Sequence, residues 1–581
     1  MKFCNKARAI AASKMWTPIA AAGLFLFFAQ GSASAQTAAP KVSCESLAKL
    51  SLPDTTITLA QTVAAGEFKE PAHVEIRTGV EVPLGGSGAA GPNGEARQGG
   101  QNGPGVPDGP GGQAGPGGPG GPGGPGGQQR GAYAKTLPAF CRITATLKPS
   151  SDSNIHIEVW LPVAGWNGKL LGVGNGGWAG KIEYGPAFYG AIGLSTGLLQ
   201  GYAAVATDTG HDNSKPGESS GEFAIGHSEK LVDYGYRAIH LMTVEGKAFI
   251  KAYYGADPKH SFFQGASLGG YQAITEAERY PKDYDGIVAG WPANPMVFFN
   301  AQQIWPSWLI SKNPARFIPR EKYAMVHEAV LKECDELDGV KDGMLENPAA
   351  CPFDPRELVC KGDDAPNCLT ATQVEFLQMV YKGPTNPRTG EVYYPGVPLG
   401  AEGTIYTEAT GNVRQTPLAL FQDVVFQNTK WDWKTFDFDK DIDKAVQVTG
   451  SVFFARPNLK AFAASGGKLF LHINWSNYHS PQQLIDYYNE AAKNIGADKA
   501  PTSIRLFNVP AANIGGSPKY DPLSILDTWV ESSKAPDQIV ATFTINGQDA
   551  STHPVCAYPK VARYKGTGDT DKAENFVCAH N

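Results

Sequence analysis

The sequence predicts an α/β protein: a parallel sheet with crossover helices, interrupted late in the series by a long insertion. Three observations predict it. Buried-strand runs alternate with amphipathic helical runs from Cys141 to about residue 294. A Gly-x-Ser-x-Gly pentapeptide, Gly265-Ala266-Ser267-Leu268-Gly269, falls where one of those strands gives way to a helix. The alternation then stops for about 160 residues and resumes at "GGKLFLHINW" (466–475).

The elements follow in order. Residues 46–82 read as strand, as in "TTITLAQTV" and "HVEIRTGVEV". "IHIEVWLP" (155–162) is a strand, and "KLLGVGNGGW" (169–178) is a strand running into a glycine turn. "GYAAVATDTG" (201–210) is a buried strand, and 229–255 carries apolar residues at helical spacing. "HSFFQGAS" leads into the serine turn, "LGGYQAITEAERYP" is the helix leaving it, and "YDGIVAGWPA" is the next strand. After the insertion come the strand ending in Trp475, a helix in 480–496 and a strand in 503–510. This divides the chain into a first core part, 36–294, an inserted domain, 295–453, and a second core part, 454–581.

Residues 1–35 read as a cleaved export signal. Lys2, Lys6, Arg8 and Lys14 are a basic start, Pro18–Ala29 is an apolar run too short to span a bilayer, and Ala33–Ala35 is a small-residue cleavage site. Its removal takes four cations and no acids, moving the formal charge from −6 to −10. That charge excludes nucleic acid and anionic membrane as partners, since both need a basic face. Secretion or a periplasmic address follows, with the mature protein soluble and monomeric. Cysteine usage agrees. Eight cysteines remain, and in an oxidising compartment their local spacing pairs Cys334–Cys351, Cys360–Cys368 and Cys556–Cys578, leaving Cys44–Cys141. Residues 85–131 are dominated by Gly and Pro and cannot bury apolar surface, which predicts a disordered insertion. The triplet run is too short and irregular for a collagen helix.

In a Gly-x-Ser-x-Gly turn the serine is strained, and the glycines let strand and helix approach. Ser267 is the candidate nucleophile, and a serine needs a base. Here the sequence resembles the tannase and feruloyl esterase family, which includes mono(2-hydroxyethyl) terephthalate hydrolase. The resemblance is carried by "FAIGHSEKLVDYGYRAIHLMT" (223–243), by 265–294, by "CDELDGVKDGMLENPAACPFDP" (334–355) and by "PVCAYPKVARYKGTGDTDKAENFVC" (554–578). It implies an α/β-hydrolase fold with a lid, hydrolysis of esters of aromatic acids, and a structural calcium ion. The oxyanion hole it implies is the backbone N–H of Leu268 and of Gly177. The calcium ligands it implies are the side chains of Asp335, Asp338 and Asp342 and the carbonyls of Val340 and Met344, stapled by Cys334 and Cys351.

The chain departs from the family in four places. Ala266 stands where the family has a cysteine. Residues 505–516 lack the family's histidine and the cysteine after it. Ser476 stands at the place of the acid. The histidines that remain include His211, His227, His472, His479 and His553. His479, three residues past Ser476 in the same loop, is the candidate substitute base. His472 matches a non-catalytic position, His553 lies where the family carries arginine, and Asp208 reads as a fold residue. The insertion's aromatics, in 297–309, 392–397 and 431–438, suit a flat arene, and Arg316 and Arg414 are its arginine candidates. Two readings result: an exported serine esterase with a relocated base, or a non-catalytic homologue that keeps the calcium site and an arene-binding cleft.

Overall fold

The computed structural model describes residues 39–72, 132–186, 192–450, 452–512, 518–545 and 548–580. The expected export signal, the Gly/Pro stretch and "HVEIRTGVEV" lie outside the described residues.

Alternating burial makes β2 (Phe140–Leu147) a half-buried strand. It pairs antiparallel with β1 (Thr55–Val63) and β3 (Ile155–Pro162). The strands that follow are apolar on both faces: β4 (Lys169–Val173), β5 (Ala203–Thr207), β6 (His260–Ala266) and β7 (Gly286–Gly290). Such runs suit a parallel sheet covered on both sides. After a two-residue β8 (Met344–Leu345) come β9 (Lys468–Asn474) and β10 (Ile504–Val509). The nine-stranded sheet runs β1-β2-β3-β5-β4-β6-β7-β9-β10. It is parallel from β5 to β10, as the alternation predicts, and antiparallel at β1–β3. Three small ladders complete the strands: β8 with β11 (Ala511–Ala512), β12 (Gln538–Ile545) with β13 (Gln548–Cys556), and β14 (Val561–Tyr564) with β15 (Phe576–Ala579).

One local expectation is corrected. Cys44–Lys49 is a 3-10 helix, not strand, because the Ser43 side chain caps it at the Ser46 N–H. All four expected disulfides are present: Cys44–Cys141, Cys334–Cys351, Cys360–Cys368 and Cys556–Cys578.

Two helices back the central strands. α1 (Ala238–Tyr254) packs on β5, and α2 (Leu268–Arg279) leaves the serine turn and packs on β6 and β7. Helices from α3 (Met296–Lys312) to residue 449 fill the insertion between β7 and β9. α3 is buried nearly all round, which marks a helix inside a core. The insertion is tied to the sheet by polar bonds. Trp178 Nε1 donates to Thr416 O at 3.0 Å, and at the base of the insertion Asn294 and Ala455, which flank it, exchange two bonds at 3.0 Å. Among the described residues no helix is long and apolar enough to cross a membrane.

Candidate active site

Ser267 caps α2 with φ 58° and ψ −112°, a conformation rare for a residue with a Cβ. Glycine makes that turn possible. A Cβ added at Gly265 would sit 2.5 Å from the carbonyl carbon of Gly269, and one at Gly269 would sit 2.9 Å from the Asn175 carbonyl oxygen. The strand and the helix touch backbone to backbone, and the serine hydroxyl is lifted to the carboxyl edge of the sheet.

His479 meets it there. His479 Nε2 lies 2.9 Å from Ser267 Oγ. The other ring nitrogen, Nδ1, lies 2.7 Å from Asn477 Oδ1. Asn477 Oδ1 also accepts the backbone N–H of His479 at 2.9 Å, a side-chain turn over two residues. A backbone N–H can only donate, so the Asn477 atom there is the oxygen. Nδ1 facing the same oxygen therefore carries the ring proton, and Nε2 is left bare to accept from the Ser267 hydroxyl. The loop is held from both ends. Tyr394 Oη donates to His479 O at 2.7 Å, and Ser480, at φ 58°, caps α4 (Pro481–Ile495) by accepting from Gln483 N.

The site's surroundings are aromatic. The His479 ring stacks on Phe299 at 4.4 Å between centroids, and Tyr478 lies 4.4 Å away. Ala293, Phe299 and Tyr394, with Phe298 and Tyr478 against them, form a small apolar cluster of their own. Arg414 stands 5.7 Å over the Tyr478 ring and is held by Glu408 and by Gln303 Oε1 at 2.7 Å. His479 is 3 % exposed. Burial, with the Arg414 charge adding to it, holds its pKa down to about 3, so the imidazole is neutral at physiological pH.

Gly176 and Gly177 are exposed, and a Cβ built at either meets nothing within 4 Å, so their backbone borders open space. Leu268 N is the first amide of α2, where no carbonyl one turn back exists to receive it. The two expected oxyanion donors are both backbone groups, which no side-chain replacement removes.

The other candidates fall elsewhere. His472, on β9, bonds Tyr520 Oη at 2.7 Å through Nδ1. His211 is buried against Phe223, with centroids 3.9 Å apart. His227 pairs with Asp152, and Asp208 is tied to His156 and to the Gly210 N–H. Ser476 Oγ accepts from Asn474 Nδ2 at 3.0 Å. Arg316 bonds Leu309 O and Glu375. The segment aligned with the family's histidine instead supplies β11, whose Ala512 pairs with Met344 of β8. Sequence reasoning missed Asn477. The signal was its place two residues before His479, where an asparagine oxygen reaches a histidine's own N–H and ring together.

The loop 335–344 has the donor chemistry of a hard cation. Asp335 and Asp338 are buried. Asp335 Oδ1 accepts from the Asp342 and Gly343 N–H groups, and Asp338 and Asp342 each use one oxygen on a backbone N–H. Their second oxygens, Asp338 Oδ2 and Asp342 Oδ2, are buried with no partner. Burial raises the two carboxyls to about 7 and about 6. The orphaned oxygens of Asp338 and Asp342 fit a cation, while the carboxylate oxygens of Asp335, Asp338 and Asp342 do not all come within 4.8 Å of one another. His553 sits behind the loop, with Nε2 2.6 Å from Glu346 Oε1.

Comparison with known proteins decides the family. The model of the family described as tannase and feruloyl esterase matches residues 141–579. The chain belongs to the tannase and feruloyl esterase family. An uncharacterized esterase of Xanthomonas campestris is 34 % identical over 503 residues, covering 77 % of this chain and 86 % of that one. Mono(2-hydroxyethyl) terephthalate hydrolase of Piscinibacter sakaiensis is 29 % identical over 522 residues, covering 77 % and 86 %. The crystal structure of feruloyl esterase B from Aspergillus oryzae superposes with a TM-score of 0.73 at 24 % identity, covering 92 % of this chain and 99 % of that chain, a likeness of fold. The fold is therefore that of the family's α/β hydrolases, and the chain is an ester hydrolase of this family by descent.

Proposed function

We propose that the protein is an exported carboxylic ester hydrolase of aromatic-acid esters, working through Ser267, His479 and Asn477. The observation that carries this reading is the 2.9 Å contact between Ser267 Oγ and His479 Nε2, with Asn477 fixing the tautomer. Ser267 Oγ attacks the ester carbonyl carbon while its proton passes to Nε2. The carbonyl electron pair moves onto oxygen, received by the Leu268 and Gly177 N–H groups. Collapse breaks the bond to the alcohol oxygen, which takes the proton back from Nε2. Water, deprotonated by the same nitrogen, then attacks the acyl-serine and releases the acid and Ser267.

Asparagine can orient the ring but cannot neutralise it. The imidazolium formed during attack has no carboxylate partner and faces Arg414, so turnover is slower than with an aspartate at 477. The aromatic cluster of Phe298, Phe299 and Tyr478 supports an arene on the acyl side. The family's mono(2-hydroxyethyl) terephthalate hydrolase and feruloyl esterases support the same substrate class. Calcium belongs to the proposal as a structural ion. Asp335, Asp338 and Asp342, with the carbonyls of Val340 and Met344, would hold it, and it would neutralise the buried carboxylates. Export rests on the basic-apolar-small pattern of residues 1–35 and on the four disulfides. The catalytic unit is a monomer acting on small molecules.

The test is hydrolysis of a panel of methyl hydroxybenzoate, hydroxycinnamate and short alkanoate esters by the wild type and Ser267→Ala. Turnover of the aromatic esters that disappears in the variant supports the reading. Turnover equal in both, or none on any ester, sinks it.

A further inference from the structure

Among the described residues, the one group of three His, Cys, Asp or Glu side chains whose ligand atoms all lie within 4.8 Å of one another is His240, Glu276 and Asp283. It is separate from the calcium loop and from the Ser267 site. His240 is on α1, Glu276 on α2 and Asp283 in the turn before β7, so the trio joins the helix behind the serine to its neighbour.

Glu276 is the feature that needs an explanation. It is 1 % exposed, and neither Oε1 nor Oε2 has a partner. A carboxyl buried this deeply is either kept as the neutral acid or compensated by a cation beside it. Asp283 faces it with a second carboxylate, and His240 Nδ1 lies 2.6 Å from Asp283 Oδ2. Lys247 spends its ammonium on the Asp283 carbonyl and makes no ion pair with either carboxylate. The side chains of His240 and Asp283 are 27 % and 16 % exposed, which leaves a path from solvent to the gap. Stacking on Tyr280, 3.7 Å between centroids, fixes the His240 ring plane.

We propose that His240, Glu276 and Asp283 bind a first-row divalent cation of the Zn2+ class, as a structural ion joining α1 to α2. The donor set decides the class: one imidazole nitrogen with two carboxylates suits Zn2+ or Co2+, whereas Ca2+ and Mg2+ take oxygen alone. Two carboxylates and a neutral imidazole offset a dication, and the Lys247 ammonium, bonded to the Asp283 carbonyl, also acts on both carboxylates. Three protein ligands leave a fourth position for water. The competing occupant is a proton shared between Glu276 and Asp283, which would join the carboxyls without any metal.

The experiment uses the full mature chain, tag removed, stripped with a chelator and dialysed into excess Ca2+. Zn2+ is titrated by calorimetry, and Co2+ by its visible absorption. The proposal expects one Zn2+ bound tightly, a Co2+ band of low-coordinate intensity, and a melting temperature raised by Zn2+ in the wild type. Glu276→Gln and His240→Asn should each lose the band and weaken Zn2+ by more than about tenfold, the least that losing even a hydrogen-bond partner of a ligand costs. Asp338→Asn and His479→Ala should keep both. His240→Asn, at a partly exposed position, covers the case in which Glu276→Gln misfolds. No Zn2+ uptake by the wild type overturns the proposal in favour of the shared proton. Uptake unchanged by both variants overturns it as adventitious binding.

Discussion

Asn477→Asp is the most informative substitution the site offers. Asn477 Oδ1 lies 2.7 Å from His479 Nδ1, and the exchange of an amide for a carboxylate keeps that oxygen in place. Opposite unit charges about 4 Å apart at an effective dielectric of about 20 attract by about 4 kcal/mol. That is about three pKa units. The His479 pKa would rise from about 3 toward about 6. The enzyme would then have a stronger base and a stabilised imidazolium in attack, and with roughly half of the gain expressed in proton transfer, kcat/KM should rise about ten- to a hundredfold. The assay is kcat/KM on an activated benzoate ester across the pH range. In the wild type the acid limb should lie near His479's own pKa, so activity persists into acid and is lost only as Nε2 protonates near 3. In Asn477→Asp that limb should move up. A folded variant with lower or unchanged kcat/KM and an unmoved limb would refute the role given to Asn477.

Further outcomes follow from the same structure. Gly265→Ala drives a methyl into the Gly269 backbone at 2.5 Å, and should cost at least about 1–3 kcal/mol together with nearly all activity, read by urea unfolding and turnover. His472 is buried and neutral, its pKa held down to about 4 by desolvation. The unfolded chain takes that proton near 6.5 while the folded chain does not, so stability is full above about 6.5 and falls as pH drops toward 4. Unfolding free energies from urea titrations at pH 7 and pH 5 should therefore differ by up to about 2 kcal/mol more in the wild type than in His472→Gln. Ca2+ added back to chelator-stripped protein should raise the melting temperature, a rise absent in Asp338→Asn/Asp342→Asn. An unchanged response in that double variant would place the calcium effect elsewhere.

The sheet was legible because burial and period agree. β5 and β7 are apolar on both faces, and a parallel sheet is the arrangement that buries both. The serine turn was legible because Gly265 and Gly269 have one steric use there. The base was harder. His479 reads as a loop histidine until the chain folds, since its approach to Ser267 spans 212 positions and depends on Phe299 and Tyr394 from the insertion. Asn477 is less visible still, because an asparagine in a turn is ordinarily a backbone device. Here the same oxygen serves the turn and the ring. The trio at Glu276 has no sequence signature, as its members sit 36 and 7 residues apart on elements that only packing brings together.

The central claim is that His479 activates Ser267. The most direct measurement is the rate of Ser267 labelling by a fluorophosphonate in the wild type and in His479→Ala, followed by mass of the modified peptide. The account predicts labelling of Ser267 in the wild type and a loss of several orders of magnitude in the variant, with the fold unchanged by circular dichroism. Equal labelling rates in the two proteins would contradict it.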